Sequence, residues 1–394
     1  MTPGARVQAA IDLIDAIIAA ARHEGAAADT LIARYFADRR YAGSKDRRAV
    51  RELVYRAVRR FGEMPASGRA AVAALADEDG EIAAAFDGGR HAPPPLDPTE
   101  PRAVPSLAPT WLIERLSASG LSTADLASMV DRAPLDIRVN RLRGEPDAVM
   151  AEFPEAQPIA GLPDALRLPT GSAVETGEAW RSGLIEIQDA GSQIVAGAAR
   201  AQPGMAVIDL CAGAGGKALA LAAAMENRGT ILATDVDRTR LSRLGPRAMR
   251  AGASIVEARL LDPKREAEAL ADWRDRADVV LIDAPCSGTG TWRRNPEARW
   301  RLTPAQIDRL AATQRRLLDV GAPLVRPGGA LVYIVCSLLD AEGRDQVADF
   351  LARSPGWVAE PPIDRGQERG AGRRLVPAHD DTDGFFVARL IRPC

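Results

Sequence analysis

Cysteine, histidine and lysine are all scarce in this chain of 394 residues: four, three and three, respectively. Cys211, Cys286, Cys336 and Cys394 form no CxxC pair. So few thiols in so long a chain exclude a disulfide scaffold, and with three histidines no zinc-type ligand set is legible, so no metal is expected. Long apolar runs are missing too: nothing approaches the roughly 18 consecutive residues of a membrane helix. The opening stretch MTPGARVQAAIDLIDAIIAAA is interrupted by Asp12 and Asp15. Without a basic start and a cleavage site it reads as an amphipathic helix, not a secretory signal. No membrane association and a cytoplasmic location are therefore expected. Hydrophobic residues make up 46% of the chain, which excludes wholesale disorder, and the length suggests two or three domains.

The net charge is only −2, but the basic residues are unevenly placed. From Arg34 to Arg60 ten basic residues stand against Asp38, Asp46 and Glu52, a local excess of seven. A second basic stretch runs from Arg293 to Arg316, with seven arginines against Glu297 and Asp308. Planar guanidinium donors suit phosphate, although an arginine bias also follows from genome composition.

The first ninety residues read as helices. After Ser44, a plausible N-cap, Val50, Leu53, Val54, Ala57, Val58 and Phe61 form one apolar stripe with arginines around it. Residues 5–22 and 29–38 look like two earlier helices of one bundle. Prolines 93–95, 98, 101, 105 and 109 then mark a linker at 91–105. Residues 106–200 mix helical stretches with strand-like LDIRVNRLR, DALRLP and SGLIEIQD. From residue 201 to the end, MAVIDL, GTILATDV, SIVEARLL, ADVVLIDAP, GALVYIVCS and GFFVARLI alternate with helical stretches. That rhythm indicates an α/β domain with a mostly parallel sheet covered on both faces.

MAVIDL runs into CAGAGGKALALAAAM, which puts Gly213, Gly215 and Gly216 where a strand turns into a helix. Glycine there permits close backbone approach, and the helix start offers free N–H donors. Asp235 ends the next strand, where a carboxylate reaches ribose hydroxyls. The spacing is not GxGxxG, however, and Asp209 at the end of the first strand is poorly placed for a pyrophosphate. It suits a cationic ligand, so S-adenosylmethionine fits better than NAD. Two thiols complete the edge: LIDAPCSGTG places Asp283 and Cys286 beyond one strand end, and YIVCS places Cys336 at the next.

DLCAGAGGKA, ATDVDRTRL, LIDAPCSGTGTWRRNPE, YIVCSLLDAEG and DGFFVARL, in that order, resemble the motifs of the RsmB/Nop/Sun family of RNA cytosine-5 methyltransferases. RVNRLR and QDAGSQ resemble its preceding region, and GSKDRRAVRELVYRAVRR is similar to the NusB-like domain of the bacterial RsmB branch. The resemblance covers nearly the whole chain. It implies a class I S-adenosylmethionine-dependent methyltransferase fold: a Rossmann-like, mostly parallel seven-stranded sheet at 201–394. An all-α NusB-like RNA-binding domain at 1–90 and a small α+β region at 106–200 would precede it. The implied reaction transfers a methyl group to C5 of a cytidine, in 16S rRNA for this branch. Cytosine C5 is a poor nucleophile, and a thiolate adding at C6 makes it reactive.

By resemblance, Cys336 is that nucleophile and Cys286 assists release. Asp283 accepts from the cytosine amino group, and Lys217 stands near base and thiol. Asp235 holds the cofactor ribose and Asp262 contacts adenine. The backbone through Cys211, Ala212, Gly213, Ala214, Gly215, Gly216 and Lys217 carries the methionine moiety, beside Asp209. Arg293 and Arg294 hold RNA flanking an extruded cytidine, while Lys45, Arg47 and Arg48 represent the stripe that grips phosphates. The expected protein is a monomer. Two departures stand out: Val335 occupies a position usually threonine, and Asn295 one usually histidine. The alternatives are the same chemistry on tRNA or another RNA, a non-catalytic RNA-binding assembly factor, and an NAD oxidoreductase, the last disfavoured by Asp209.

Overall fold

The computed structural model describes residues 1–23 and 25–394. The chain divides into two compact units: residues 1–132 joined by Thr291–Thr303, and residues 133–290 with 304–394.

The first unit is helical. Pro3–Arg22, Ala28–Ala37, Ser44–Arg60, Gly68–Ala76 and Gly80–Ala84 surround a core that includes Leu13, Ile14, Ile17, Val50, Val54, Val58 and Leu75. The apolar spacing that predicts the third helix is the spacing that faces this core. Ser44, expected as its cap, is instead its first residue: Gly43 occupies the cap position without a side-chain bond. The proline-rich stretch expected as a linker lies against the bundle. Arg69 donates to the carbonyls of Pro94 and Pro95 and pairs with Glu100, while Ala103 N–H donates to Ala70 O. Proline-rich backbone lacks donors, but its carbonyls still accept, and that is how it is pinned. The unit continues through helices Thr110–Ala118 and Thr123–Ser128, the latter opened by a capping box between Ser122 and Asp125.

The segment Thr291–Thr303, although far along the chain, completes this unit. Glu297 accepts from Ala28 N–H at 3.1 Å, at the start of a helix with no cap of its own. Arg299, fully buried, donates to the carbonyls of Val58, Arg59 and Leu107, and Trp300 Nε1–H donates to Phe61 O at 2.8 Å. A carboxylate at a helix start and a guanidinium at a helix end both complement the backbone dipole.

The second unit begins with a four-stranded antiparallel sheet. Its strands are β1 (Leu135–Val139), β2 (Gln157–Ile159), β3 (Leu162–Leu168) and β4 (Ile185–Ile187), in the order β2-β3-β1-β4. Helix Ala190–Gly197 then leads into the larger sheet. That sheet comprises β5 (Ala206–Asp209), β6 (Thr230–Asp235), β7 (Val256–Leu260), β8 (Ala277–Asp283), β9 (Val325–Val335), β10 (Val358–Glu360), β11 (Gln367–Arg369), β12 (Gly372–Leu375) and β13 (Phe385–Ile391).

The order is β11-β12-β13-β9-β8-β5-β6-β7, with β10 also on β13. The run β9-β8-β5-β6-β7 is parallel, and β13 is antiparallel to β9. This is the expected Rossmann-like sheet, with nine strands instead of seven. The strands missed in the sequence, β10, β11 and β12, are three or four residues long and mostly polar, too short to display a period. Two apolar layers cover the sheet, one including Val207, Leu219 and Val279, the other Ile208, Val280 and Leu318. Successive residues of a strand point to opposite faces, so the continuous apolar runs are those of strands buried on both sides.

Candidate active site

Because β5, β6, β8 and β9 are parallel neighbours, their carboxyl ends share one edge of the sheet. Asp209, Asp235 and Asp283 are the last residues of β5, β6 and β8, and Cys336 directly follows β9. The chain crosses from one side of β5 to the other, which opens a crevice at this edge.

The turn after β5 is tied to β6. Gly213 N–H donates to Asp235 Oδ2 at 2.7 Å, and Asp237 N–H to Oδ1 at 2.8 Å. Gly213 (φ 55°) and Gly215 (φ 86°) are both left-handed, and a Cβ on Gly215 would sit 2.1 Å from Leu244 Cδ1. Only glycine fits there. Helix Gly216–Ala224 follows with no side-chain cap, so its first N–H groups are available to a ligand.

Asp209 is fully buried, and neither carboxylate oxygen finds a hydrogen-bond partner among the described residues. Burial, reinforced by Asp283, pushes its pKa up to about 7. An orphaned pair of acceptors beside a glycine cradle calls for a ligand bearing donors and positive charge. S-adenosylmethionine, with an amino group and a sulfonium, fits this donor set; a pyrophosphate would face the carboxylate. Asp262 lies exposed just beyond β7. Cys211, half-buried in the turn, is held well above the ordinary thiol range by burial and the nearby aspartates.

Across the crevice, Lys217 Nζ lies 2.5 Å from Asp283 Oδ2, and the lysine is buried. Burial alone would lower its pKa. Asp283, Asp209 and the Cys336 sulfur together outweigh that and hold it above the usual lysine value, so it stays an ammonium. Cys286 Sγ and Cys336 Sγ are 3.3 Å apart. The contact with Cys336, then burial, pushes the Cys286 thiol well up. The Lys217 ammonium lies near the Cys336 sulfur. The Gly290 N–H donates to Cys336 O at 3.0 Å, tying the two loops together.

The sequence reading missed Glu342. This carboxylate is completely buried and accepts from Ser287 N–H (2.9 Å), Ser287 Oγ, Ser337 Oγ (2.6 Å) and Gln314 Nε2 (3.0 Å). It lies six residues after Cys336 within the quoted motif YIVCSLLDAEG, but a glutamate in sequence reads as a solvated residue.

The arginines differ from expectation. Arg293 is buried and Arg294 half-buried, so Arg293 is not an open contact for a nucleic-acid backbone. On helix Ser44–Arg60, Arg48, Arg51, Arg56 and Arg60 pair with Glu52, Asp29, Asp79 and Glu78. Glu52 is on the same helix, Asp29 on the preceding one, and Glu78 and Asp79 in the turn between Gly68–Ala76 and Gly80–Ala84. Together they neutralise much of the stripe. Lys45 and Arg47 are exposed in its first turn, where Arg47 also donates to Ala42 O.

Residues 198–391 match the family model described as 16S rRNA methyltransferase RsmB/F. Ribosomal RNA small subunit methyltransferase B from Xylella fastidiosa is 38% identical over 72% of this chain and 68% of its own length. This chain belongs to the RsmB/F family of 16S rRNA methyltransferases. The same-named protein of Salmonella heidelberg is 33% identical over 73% of this chain and 66% of its own. Among solved structures, PH0851 superposes with a TM-score of 0.77 over 99% of both chains at 24% identity. A methyltransferase homologue from Pyrococcus horikoshii gives 0.61 over 72% of this chain and 99% of its own, at 25% identity. This RsmB/F-family protein is therefore an RNA methyltransferase with a helical N-terminal region that agrees with a NusB-like domain. Among the described residues no helix is long and apolar enough to cross a membrane.

Proposed function

We propose that this protein transfers a methyl group from S-adenosylmethionine to C5 of a cytidine in 16S rRNA, through a transient bond between Cys336 Sγ and C6. The reading rests above all on the two thiols 3.3 Å apart beside the Lys217–Asp283 pair. Lys217 places an ammonium near the Cys336 sulfur, opposite the negative charge that sulfur carries as a nucleophile. Addition of that thiolate to C6 moves an electron pair to C5, which then takes the methyl group. Bound S-adenosylmethionine supplies that electrophilic methyl. Asp283 accepts from the cytosine N4 amino group, and its pairing with Lys217 fixes the orientation in which it does so. Loss of the C5 proton to a base and of the thiolate from C6 then restores the aromatic ring.

Cys286 keeps its proton and faces Cys336, the position from which it assists departure of the thiolate. Val335 is a fully buried strand residue paired with Phe386, so the missing hydroxyl leaves the backbone path into Cys336 in place. Two experiments test the proposal. Bisulfite mapping of 16S rRNA from cells with and without the protein should show one cytidine losing its methyl mark on deletion. With purified components, Cys336→Ala should abolish turnover and any covalent RNA adduct, whereas Cys286→Ala should accumulate an adduct that survives denaturant. An adduct in Cys336→Ala, or methylation confined to tRNA, would overturn the reading.

A further inference from the structure

We infer that Glu342 is a positioning residue that sets the approach of the two thiols, a role that rests on the proposed two-cysteine mechanism. The residue after each cysteine is tied to this one carboxylate. Ser287 follows Cys286 and supplies its backbone N–H at 2.9 Å and its hydroxyl; Ser337 follows Cys336 and supplies its hydroxyl at 2.6 Å. Both serine hydroxyls reach Glu342, and they lie 3.1 Å from each other. Thr289 Oγ1 lies within hydrogen-bond distance of Ser337 Oγ, at 3.2 Å, and accepts from Leu338 N–H at 2.8 Å. Leu339 N–H also donates to Ser337 Oγ at 3.2 Å.

Gln314 reaches in from helix Pro304–Gly321 and splits its amide between Glu342 Oε1 and Pro285 O, both at 3.0 Å. Pro285 is the residue before Cys286, so the loop is held on both sides of the thiol. Tyr333 in β9 fixes the backbone of Glu342 itself, its hydroxyl donating to the Glu342 carbonyl at 2.6 Å. Every donor around the carboxylate belongs to, or is braced against, a segment carrying one of the cysteines. A buried carboxylate with four donors has no slack in which to let either loop slide. A neutral amide in its place would turn an N–H₂ group toward donors and break the convergence.

The test needs a readout of thiol geometry that is independent of methylation. Diamide oxidises two adjacent thiols to a disulfide, taking up their two electrons and two protons to become the hydrazine. In the full-length protein, the rate of Cys286–Cys336 disulfide formation, mapped by peptide mass, reports their approach. Glu342→Gln should slow it at least tenfold. It should also lower kcat at least tenfold with the KM for S-adenosylmethionine unchanged. Ser337→Ala removes a single tie and should slow both several-fold, which decides the matter alone should Glu342→Gln fail to fold. Wild-type disulfide rates and kcat in a folded variant would overturn the inference. If the wild-type protein makes no 5-methylcytosine, the proposed function fails, while the disulfide rates still judge the positioning by Glu342.

Discussion

Asp209 carries a pH dependence that can be separated from the rest of the molecule. Its carboxyl has an ordinary value of 3.8 and titrates near 7 in the fold, where it is fully buried and faces Asp283. Between those two values the folded protein keeps a proton that the unfolded chain has released. Stability therefore falls as pH rises through this window, and the penalty is fully present above pH 7. At about 1.4 kcal/mol per unit, the two units between pH 5 and 7 correspond to about 3 kcal/mol. Asp209→Asn keeps the shape and removes the titration, so the wild-type-minus-variant difference isolates this group from all others.

Urea unfolding across pH 5 to 8, followed by hydrogen exchange in helix Gly216–Ala224, reads the unit that holds it. The variant should gain on the wild type by up to about 3 kcal/mol between pH 5 and 7, with no further change above. A cationic ligand beside the carboxylate draws its proton off. Affinity for S-adenosylmethionine should therefore rise from pH 6 to 8 in the wild type and stay flat in Asp209→Asn. Parallel pH profiles for the two proteins, in stability and in affinity, would refute the assignment of a proton to Asp209.

Other changes probe other joints. Arg299→Met leaves the carbonyls of Val58, Arg59 and Leu107 without their buried donor. At about 1–3 kcal/mol per orphaned group, the helical unit should lose about 3 kcal/mol or more in denaturant unfolding. Gly215→Ala forces a side chain into a left-handed turn against Leu244. It should cost about 2 kcal/mol and weaken S-adenosylmethionine binding in calorimetry, while Gly216→Ala, which meets no neighbour, should be tolerated far better. Removing residues 1–90 should expose Trp300 and Arg299 and produce an aggregation-prone remainder in light scattering, because both belong to the helical core.

The alternating strands and helices, the glycine turn, the strand-end aspartates and the order of the two cysteine motifs were legible in the linear chain. Each is a local feature: a period, a spacing, or a residue type that a turn demands. β1 lay within LDIRVNRLR and helix Ala190–Gly197 within AGSQIVAGAAR for the same reason. Conformational preference acts over a few residues, and so does the pattern that records it.

What depended on packing between distant segments was not legible. Nothing local distinguishes Arg293 and Arg299, both buried, from the half-buried Arg294 and Arg301 beside them. Nor does it reveal that the stripe on helix Ser44–Arg60 is neutralised by Asp29, Glu78 and Asp79. The 3.3 Å approach of thiols fifty residues apart, and the burial of Glu342 between their loops, exist only once β8 and β9 are paired and helix Pro304–Gly321 closes over them. The sequence thus determined which chemical groups stand at the ends of which strands. Tertiary structure decided which of them lose water and meet, because desolvation and charge pairing are properties of the assembled neighbours and of no single segment.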